Sequence, residues 1–440
     1  MNRSMVSVKS VILLVLSILG FSALYRRVVR PPSRTMMANI PFRGTASGGT
    51  LVFGDMRARN AFFVSIDTLA GESAEAVVYK LAEAVNSSDI LFEWSRDRGQ
   101  TDPDKIAART AKMAKGNTLR IAGAPQMYFL AGTETGLGIP EPPLSLSCTY
   151  NKKDDKIALD WINPSGDYDR IIVTLRWNKN DSGRRRMIDG STRIIDGSPS
   201  RFELGREKVA YDINDLDVWM VGFRNGTPSS VAAIRLFGNA QEELFGFPFT
   251  SGVAPNWKAW SVGKAIEKGQ FVSRQRKGLT ANEGIRYNSV EEPEKKPFQQ
   301  VLKTPAGGGT VGIWRKFLGL APGHKYKLTA RLNTFEMDAN DGDWTFSLHL
   351  TPNGADGKNL TTNQFAGLEP LPDGSSGLEA GRIAIYGPGI TTKGNYVEHS
   401  ADVTLPEGTE AITVWLRHSS NSASAGVGFD WIRLEDISAQ

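Results

Sequence analysis

The chain has 440 residues, 40% of them hydrophobic and 22% charged, with a net charge of +5 at neutral pH. That length allows about two to four domains, each able to bury a core. The small charge excess lies largely in two clusters, Arg26–Arg34 and Arg184–Arg186, without the interleaved aromatics of a nucleic-acid groove, so nucleic-acid partners are excluded and the second cluster reads as a solvated basic loop. Cys148 is the single cysteine, which rules out an intrachain disulfide and a thiolate metal site and leaves a small apolar core residue.

Residues 1–30 read as a signal-anchor or transmembrane segment. Arg3 and Lys9 precede an apolar run from Val11 to Leu24, a length at which a signal-peptide core and a short anchor look alike. Ser22-Ala23 is a poor cleavage site and Arg26-Arg27 follows directly, which favours an uncleaved anchor; cleavage and secretion is the alternative. Arg26, Arg27, Arg30 and Arg34 outnumber Arg3 and Lys9, so the positive-inside rule argues for the cytoplasm. The character of the downstream domains argues for export, and an extracytoplasmic envelope location is the expectation adopted.

Residues 31–49, rich in Pro, Gly and Ser, read as a linker. Residues 50–135 read as a small α+β module. It starts with a strand at Asn60–Asp67 and a helix at Glu72–Asn86, with Ser73 as N-cap and Ala76, Val77, Leu81, Ala84 and Val85 on one face. A polar helix at Asp102–Lys115 and short strands at Thr118–Ala122 and Gln126–Ala131 complete it. Gly132–Pro143 is a second linker.

Residues 140–240 have the spacing of a seven-strand β-sandwich, with strands at Ile157–Trp161, Arg170–Trp177, Val209–Ile213 and Val218–Phe223. Leu159, Trp161 and Pro164, then Tyr168 and the run Asn225-Gly-Thr-Pro-Ser-Ser-Val231, resemble a fibronectin type III domain. That resemblance implies a core tryptophan at Trp161 and a spacer role.

Residues 247–438 read as a jelly-roll β-sandwich. Period-two alternation puts Val311, Ile313 and Phe317 on one face, Trp314 and Lys316 on the other. Tyr326, Leu328, Ala330 and Leu332 oppose Lys327, Thr329, Arg331 and Asn333. Trp344, Phe346, Leu348 and Leu350 oppose Thr345, Ser347 and His349. Ile412, Val414 and Leu416 oppose Thr413, Trp415 and Arg417, and Ile383 and Ile385 oppose Arg382, Ala384 and Tyr386. Trp314, Tyr386 and Trp415 thus fall on polar faces, where flat aromatics stack on sugar rings and Arg331, Asn333, His349 and Arg417 bond hydroxyls. The competing reading covers these rings with loops or with the preceding domain.

The run Gly319–Arg331, the stretch Thr404–Trp415 and the terminal Gly428–Leu434 resemble carbohydrate-binding modules of the jelly-roll, galactose-binding-like type. The resemblance implies glycan binding and a structural calcium held partly by Asp430. Where such modules carry a glutamate in the opening strand, this chain has Phe247-Pro-Phe-Thr250. Asp338–Asp343 reads as a turn rather than an EF-hand, because its Gly is out of step and no Glu closes it. Gly307–Gly309 is a turn with no helix behind it to cradle a phosphate.

The fold class expected is mainly β: a membrane segment, a small α+β module, a fibronectin type III-like sandwich and a C-terminal jelly roll. No nucleophile elbow, zinc-protease helix, P-loop or dinucleotide fingerprint is present, so no enzyme and no cofactor beyond calcium are expected. The function expected is a non-catalytic, membrane-anchored envelope or surface protein whose jelly roll binds glycan or a surface protein. The alternative is a purely structural surface, adhesin-like or filament component. Glycan binding predicts at least two of Trp314, Tyr386 and Trp415 exposed on one face; the structural reading predicts them covered.

Overall fold

The computed structural model describes residues 37–55, 62–87, 116–122, 128–132, 135–151, 153–164, 166–181, 184–188, 192–205, 216–243, 253–262, 271–275, 298–304, 308–334, 344–354, 369–370, 381–387, 392, 395–421 and 424–438. The N-terminal apolar segment, the helix expected at Asp102–Lys115, the strand expected at Val209–Ile213 and the acidic loop Asp338–Asp343 lie outside these residues. Among the described residues, no helix is long and apolar enough to cross a membrane. The fold is mainly β, with one described helix.

The first unit comprises β1 (Met37–Pro41), β2 (Thr45–Asp55), β3 (Phe62–Ser73), α1 (Ala74–Asn86), β4 (Thr118–Ala122) and β5 (Tyr128–Ala131). Residues 37–41 and 45–49 are therefore strand, where the sequence pattern suggests a linker. Ala38, Ile40 and Phe42 alternate inward at 0% exposure, a periodicity hidden by the Pro and Gly around them. β1 pairs with β4, and β2 lies between β3 and β5. Ser73 caps α1 as expected, its hydroxyl accepting from the Ala76 N–H at 3.2 Å, which satisfies one of the helix's free donors. Val77, Val78, Leu81, Ala82 and Val85 seal α1 onto this sheet.

The second unit comprises β6 (Leu144–Asn151), β7 (Lys156–Ile162), β8 (Arg170–Asp181), β9 (Arg184–Ile188), β10 (Thr192–Asp196), β11 (Arg201–Gly205), β12 (Leu216–Arg224), β13 (Thr227–Pro228), β14 (Ala232–Phe237) and β15 (Ala240–Glu243). A sheet ordered β11-β7-β6 faces one ordered β10-β8-β12-β14. Trp161, 1% exposed, and Cys148, 0% exposed, lie in the core between them. Burial pushes the Cys148 thiol up, which leaves it protonated and inert. Arg184–Arg186 belong to β9, paired with β8, rather than to a loop. Asn225 and Gly226, both at positive φ, form the tight turn into β13 that an Asn-Gly pair favours.

The third unit comprises β16 (Lys258–Val262), β17 (Phe271–Gln275), β18 (Phe298–Thr304), β19 (Gly309–Phe317), β20 (Lys325–Asn333), β21 (Trp344–Gly354), β22 (Glu369–Pro370), β23 (Gly381–Tyr386), β24 (Val397–Thr404), β25 (Thr409–Ser420) and β26 (Ser424–Asp436). One sheet runs β16-β19-β25-β21-β23-β22; in the other, β26 lies between β18 and β20, with β17 and β24 outermost. Val311, Ile313, Phe317, Phe346, Leu348, Leu350, Val414 and Leu416 from the first meet Leu328, Ala330, Leu332, Ile432 and Leu434 from the second. The alternation read for β19, β20, β21 and β25 holds. That for β23 does not: Ala384 and Tyr386 face the core. Tyr386 stands opposite Phe346 and Ala384 opposite Leu348, while Ile383 is the extra residue of a bulge in β23 before Arg382 pairs with His349, and a one-residue offset exchanges the faces of a strand.

The three units are joined by buried contacts. Phe129 of β5 enters a cluster with Trp219, Val221 and Phe223 on the outer face of the second unit. At the other side β15 pairs with the C-terminal half of β26, Ala240–Glu242 against Arg433–Glu435, so one sheet continues from the second unit into the third. All of β15 is buried. Glu242 accepts from Arg433 at 2.7 Å, and Gln241 accepts from the Cys148 N–H at 3.0 Å. Glu243 pairs with Arg315, itself 0% exposed and donating to the Leu146 carbonyl at 2.7 Å. Asn256 donates to Glu243 and to the Ala233 carbonyl and accepts from the Leu146 N–H.

Candidate functional site

The outer face of the β16-β19-β25-β21 sheet carries the residues that sequence pattern singles out. Lys258 stands opposite Trp314, Trp314 opposite Trp415, and Trp415 opposite His349, so four strands build one cross-strand row. Trp415 lies at the centre, 6.0 Å from Trp314 at 44° and 6.0 Å from Trp260 at 82°. All three tryptophans are half-buried, so Trp314 and Trp415 share one face but are only partly open, short of the full exposure that glycan binding predicts. The Trp415 indole donates to the Thr351 hydroxyl at 3.0 Å, which fixes its tilt. Gly312 makes room for Trp260: a Cβ there would stand 2.4 Å from the indole nitrogen.

Polar groups surround the rings. Arg417 donates to the Ser419 hydroxyl at 3.4 Å, and Ser419 shares a 2.9 Å bond with Thr310. His349 is 6% exposed and bonded to the Ser347 hydroxyl at 2.5 Å. Thr413 donates to Asn353 at 2.6 Å, both of them buried. Chemically, this face offers a part-open aromatic cluster at one end and a covered polar network at the other. Indole faces of this kind stack on the C–H faces of sugar rings, and the arginine and hydroxyls beside them bond hydroxyl groups.

Four of the predicted residues, Trp314, His349, Trp415 and Arg417, thus share one face. The other three do not join them. Tyr386 is turned into the core, 6% exposed, stacked at 17° on Phe346 and bonded through its hydroxyl to His399. Burial pushes its phenol up to about 12. Arg331 and Asn333 belong to β20, in the opposite sheet: the Arg331 guanidinium lies over the Tyr396 ring at 4.9 Å. Asn333 is 2% exposed and accepts from the Thr392 hydroxyl at 3.2 Å. Alternation along β20 correctly sets these two opposite the core residues, but it carries no information on which sheet the strand enters.

Sequence reasoning missed Trp260. Its signal is the i, i+2 spacing of Lys258 and Trp260, which puts both on one face of β16.

The calcium ligand proposed at Asp430 falls at a β-bulge in β26. The register passes from Arg331 opposite Trp431 to Leu332 opposite Phe429, leaving Asp430 as the extra residue. Its side chain and the stretch Phe247–Thr250 lie outside the described placement. Among the described residues no group of three or more His, Cys, Asp or Glu is arranged to hold a metal.

No protein-family model matches the chain, and no curated protein matches it. Parts of it are similar to solved structures. The enzymatically active domain of tailspike protein 4 from bacteriophage CBA120 is 10% identical, with a TM-score of 0.26, over 40% of this chain and 19% of that one. This chain therefore spans less than a fifth of the tailspike domain's length. The CBM22-1 xylan-binding domain of Paenibacillus barcinonensis Xyn10C is 10% identical, with a TM-score of 0.25, over 43% of this chain and 90% of that one. An Fn3-like protein from Clostridium thermocellum is 17% identical, with a TM-score of 0.17, over 22% of this chain and 93% of that one. Carbohydrate-binding modules and an Fn3-like protein are thus among the solved structures to which parts of this chain are similar.

Proposed function

We propose that this protein is a non-catalytic glycan binder that engages polysaccharide through the Trp260, Trp314 and Trp415 face of its jelly roll. Residues 1–30 anchor it to a membrane, and it is displayed at the cell envelope. The observation that carries the reading is the aromatic cluster itself. Three indoles stand on the face of a sheet whose other face already forms the core, so core packing does not account for them.

The test is a glycan array and polysaccharide pull-down with the full chain, beside Trp415→Ala and Trp314→Ala. Loss of one ring weakens polysaccharide binding about tenfold, or ~1.4 kcal/mol. Absence of binding to every polysaccharide, or binding indifferent to both substitutions, refutes the reading.

A second reading has its own support. His349, Thr351, Asn353 and Thr413 on the same outer face are buried, and the middle sandwich contacts both of its neighbours. In that reading the protein is a structural surface component whose faces make protein contacts. It predicts concentration-dependent assembly of the full chain in analytical ultracentrifugation, abolished by charge substitutions on the outer sheet face.

A further inference from the structure

A second concavity lies away from the tryptophan face. The outer surface of the β11-β7-β6 sheet meets one end of the jelly roll, and between them is a groove of about 700 Å³, within the usual range for ligand sites, which favour junctions of this kind. Its floor is the cross-strand row Thr149, Ala158 and Glu203. One end is closed where the Leu318 N–H donates to the Ser147 hydroxyl at 2.9 Å. Gly319, at φ +68°, passes so close to Asp160 that a Cβ there would stand 2.7 Å from the carboxylate. The turn carrying Asn239 and the end of β26 form the far wall.

The polar lining is preorganised by internal pairing. Arg201 donates to Asp160 and to Glu203, each at 2.8 Å, and Lys156 approaches Glu203 at 3.5 Å. Across the groove His324 Nδ1 is bonded to Asp436 Oδ2 at 2.8 Å, and its ring lies stacked on Tyr326, centroids 6.3 Å apart at 29°. The His324 side chain is nevertheless 46% exposed. It offers an open, flat ring held in one orientation.

The charge balance identifies the ligand class. Lys153, Lys156 and Arg201 line the groove with Asp154, Glu203 and Asp436, and Asp160 beneath Arg201 adds a fourth carboxylate, so both signs are present and nearly balanced. A charged ligand would meet like charge wherever it met its complement. An apolar one would strip water from these groups without bonding them. A neutral ligand rich in hydroxyls satisfies both signs, because each hydroxyl donates and accepts, and a flat ring suits the C–H face of a sugar. We infer that the groove between the two sandwiches is a second binding site, for a neutral oligosaccharide of two or three sugars. The inference shares a ligand class with the tryptophan-face reading but rests on none of its residues.

The test uses the full chain and neutral trisaccharides of gluco, galacto, manno and xylo configuration, followed by saturation-transfer NMR and titration calorimetry. Ala321→Trp fills the groove, His324→Ala removes the exposed ring, and Tyr79→Ala alters only an exposed position on α1, outside both faces; thermal melts check that each is folded. At least one trisaccharide binds, at least tenfold more weakly in Ala321→Trp and in His324→Ala, and within twofold of wild type in Tyr79→Ala. If Ala321→Trp does not fold, His324→Ala decides. Trisaccharide binding unchanged by both groove substitutions, or no trisaccharide bound, overturns the inference. The two readings separate cleanly. Polysaccharide retained through Trp415 without trisaccharide binding sinks the groove alone; groove-dependent trisaccharide binding with no polysaccharide held sinks the tryptophan face alone.

Discussion

Glu243→Gln removes the charge that faces a fully buried guanidinium. Glu243 and Arg315 are 1% and 0% exposed, at the point where β15 carries one sandwich into the other. Burial pushes Arg315 from 12.5 down to about 9, and the Glu243 carboxylate and the Leu146 carbonyl are the groups its guanidinium faces. Breaking a buried pair from one side destabilises by about 3–5 kcal/mol. With a urea m-value near 3 kcal/mol/M, the unfolding midpoint of the full chain falls by about 1–1.7 M, read by tryptophan fluorescence. Because burial lowers the folded-state value of Arg315 below the free one, the cost of burying its charge in the wild-type fold is full below about pH 9 and eases as pH rises through it. The double substitution Glu243→Leu with Arg315→Met recovers most of the loss, since a packed apolar pair replaces a buried ionic one at little net expense. A Glu243→Gln midpoint within about 0.3 M of wild type, or a double variant no better than the single, refutes this account of the junction.

Other outcomes follow from the same structure. Burial holds His399 below its ordinary value, so the unfolded chain takes up the proton first and stability falls as pH drops through about 6.5; His399→Gln flattens that slope in thermal melts at pH 5 to 7. Phe129, 0% exposed between the first two units, leaves a cavity when cut to alanine. Phe129→Ala costs about 3–5 kcal/mol and makes the α+β unit the first released by limited proteolysis; an unchanged cleavage order contradicts the docking. Gly222→Ala drives a Cβ to 2.3 Å from the Tyr168 ring, displacing the phenol that donates to the Glu141 carbonyl at 2.6 Å. Overpacking of this kind costs about 1–3 kcal/mol, measurable as a lowered Tm.

Much of the architecture is legible in the chain because β-structure writes itself with a period of two. The faces of β19, β20, β21 and β25 follow directly from which residues alternate, and Ser73 announces the start of α1 by its side chain. Trp161 and Cys148 are core residues on chemical grounds alone. The pattern fails where another strand sets the answer. Tyr386 points inward because a bulge at Ile383 in its own strand shifts the register against β21. Ala38 and Ile40 sit among linker-like residues and become strand only against β4.

Sequence by itself determined the number and kind of layers: alternating strands must bury one face, and each unit has enough apolar residues to do so. It also determined that Trp314 and Trp415 stand off the core. Only the tertiary structure decided which outward residues meet. Trp260 and Trp314 reach Trp415 across strands far apart in the chain, while Arg331 and Asn333 leave for the other sheet. The junction was the least legible part. Ala240-Gln-Glu-Glu243 reads as polar surface, yet all of it is buried, because Cys148, Arg433 and Arg315 supply its partners. A hydrogen-bonding group is specified by what it meets, and that is a property of the folded chain, not of the local sequence.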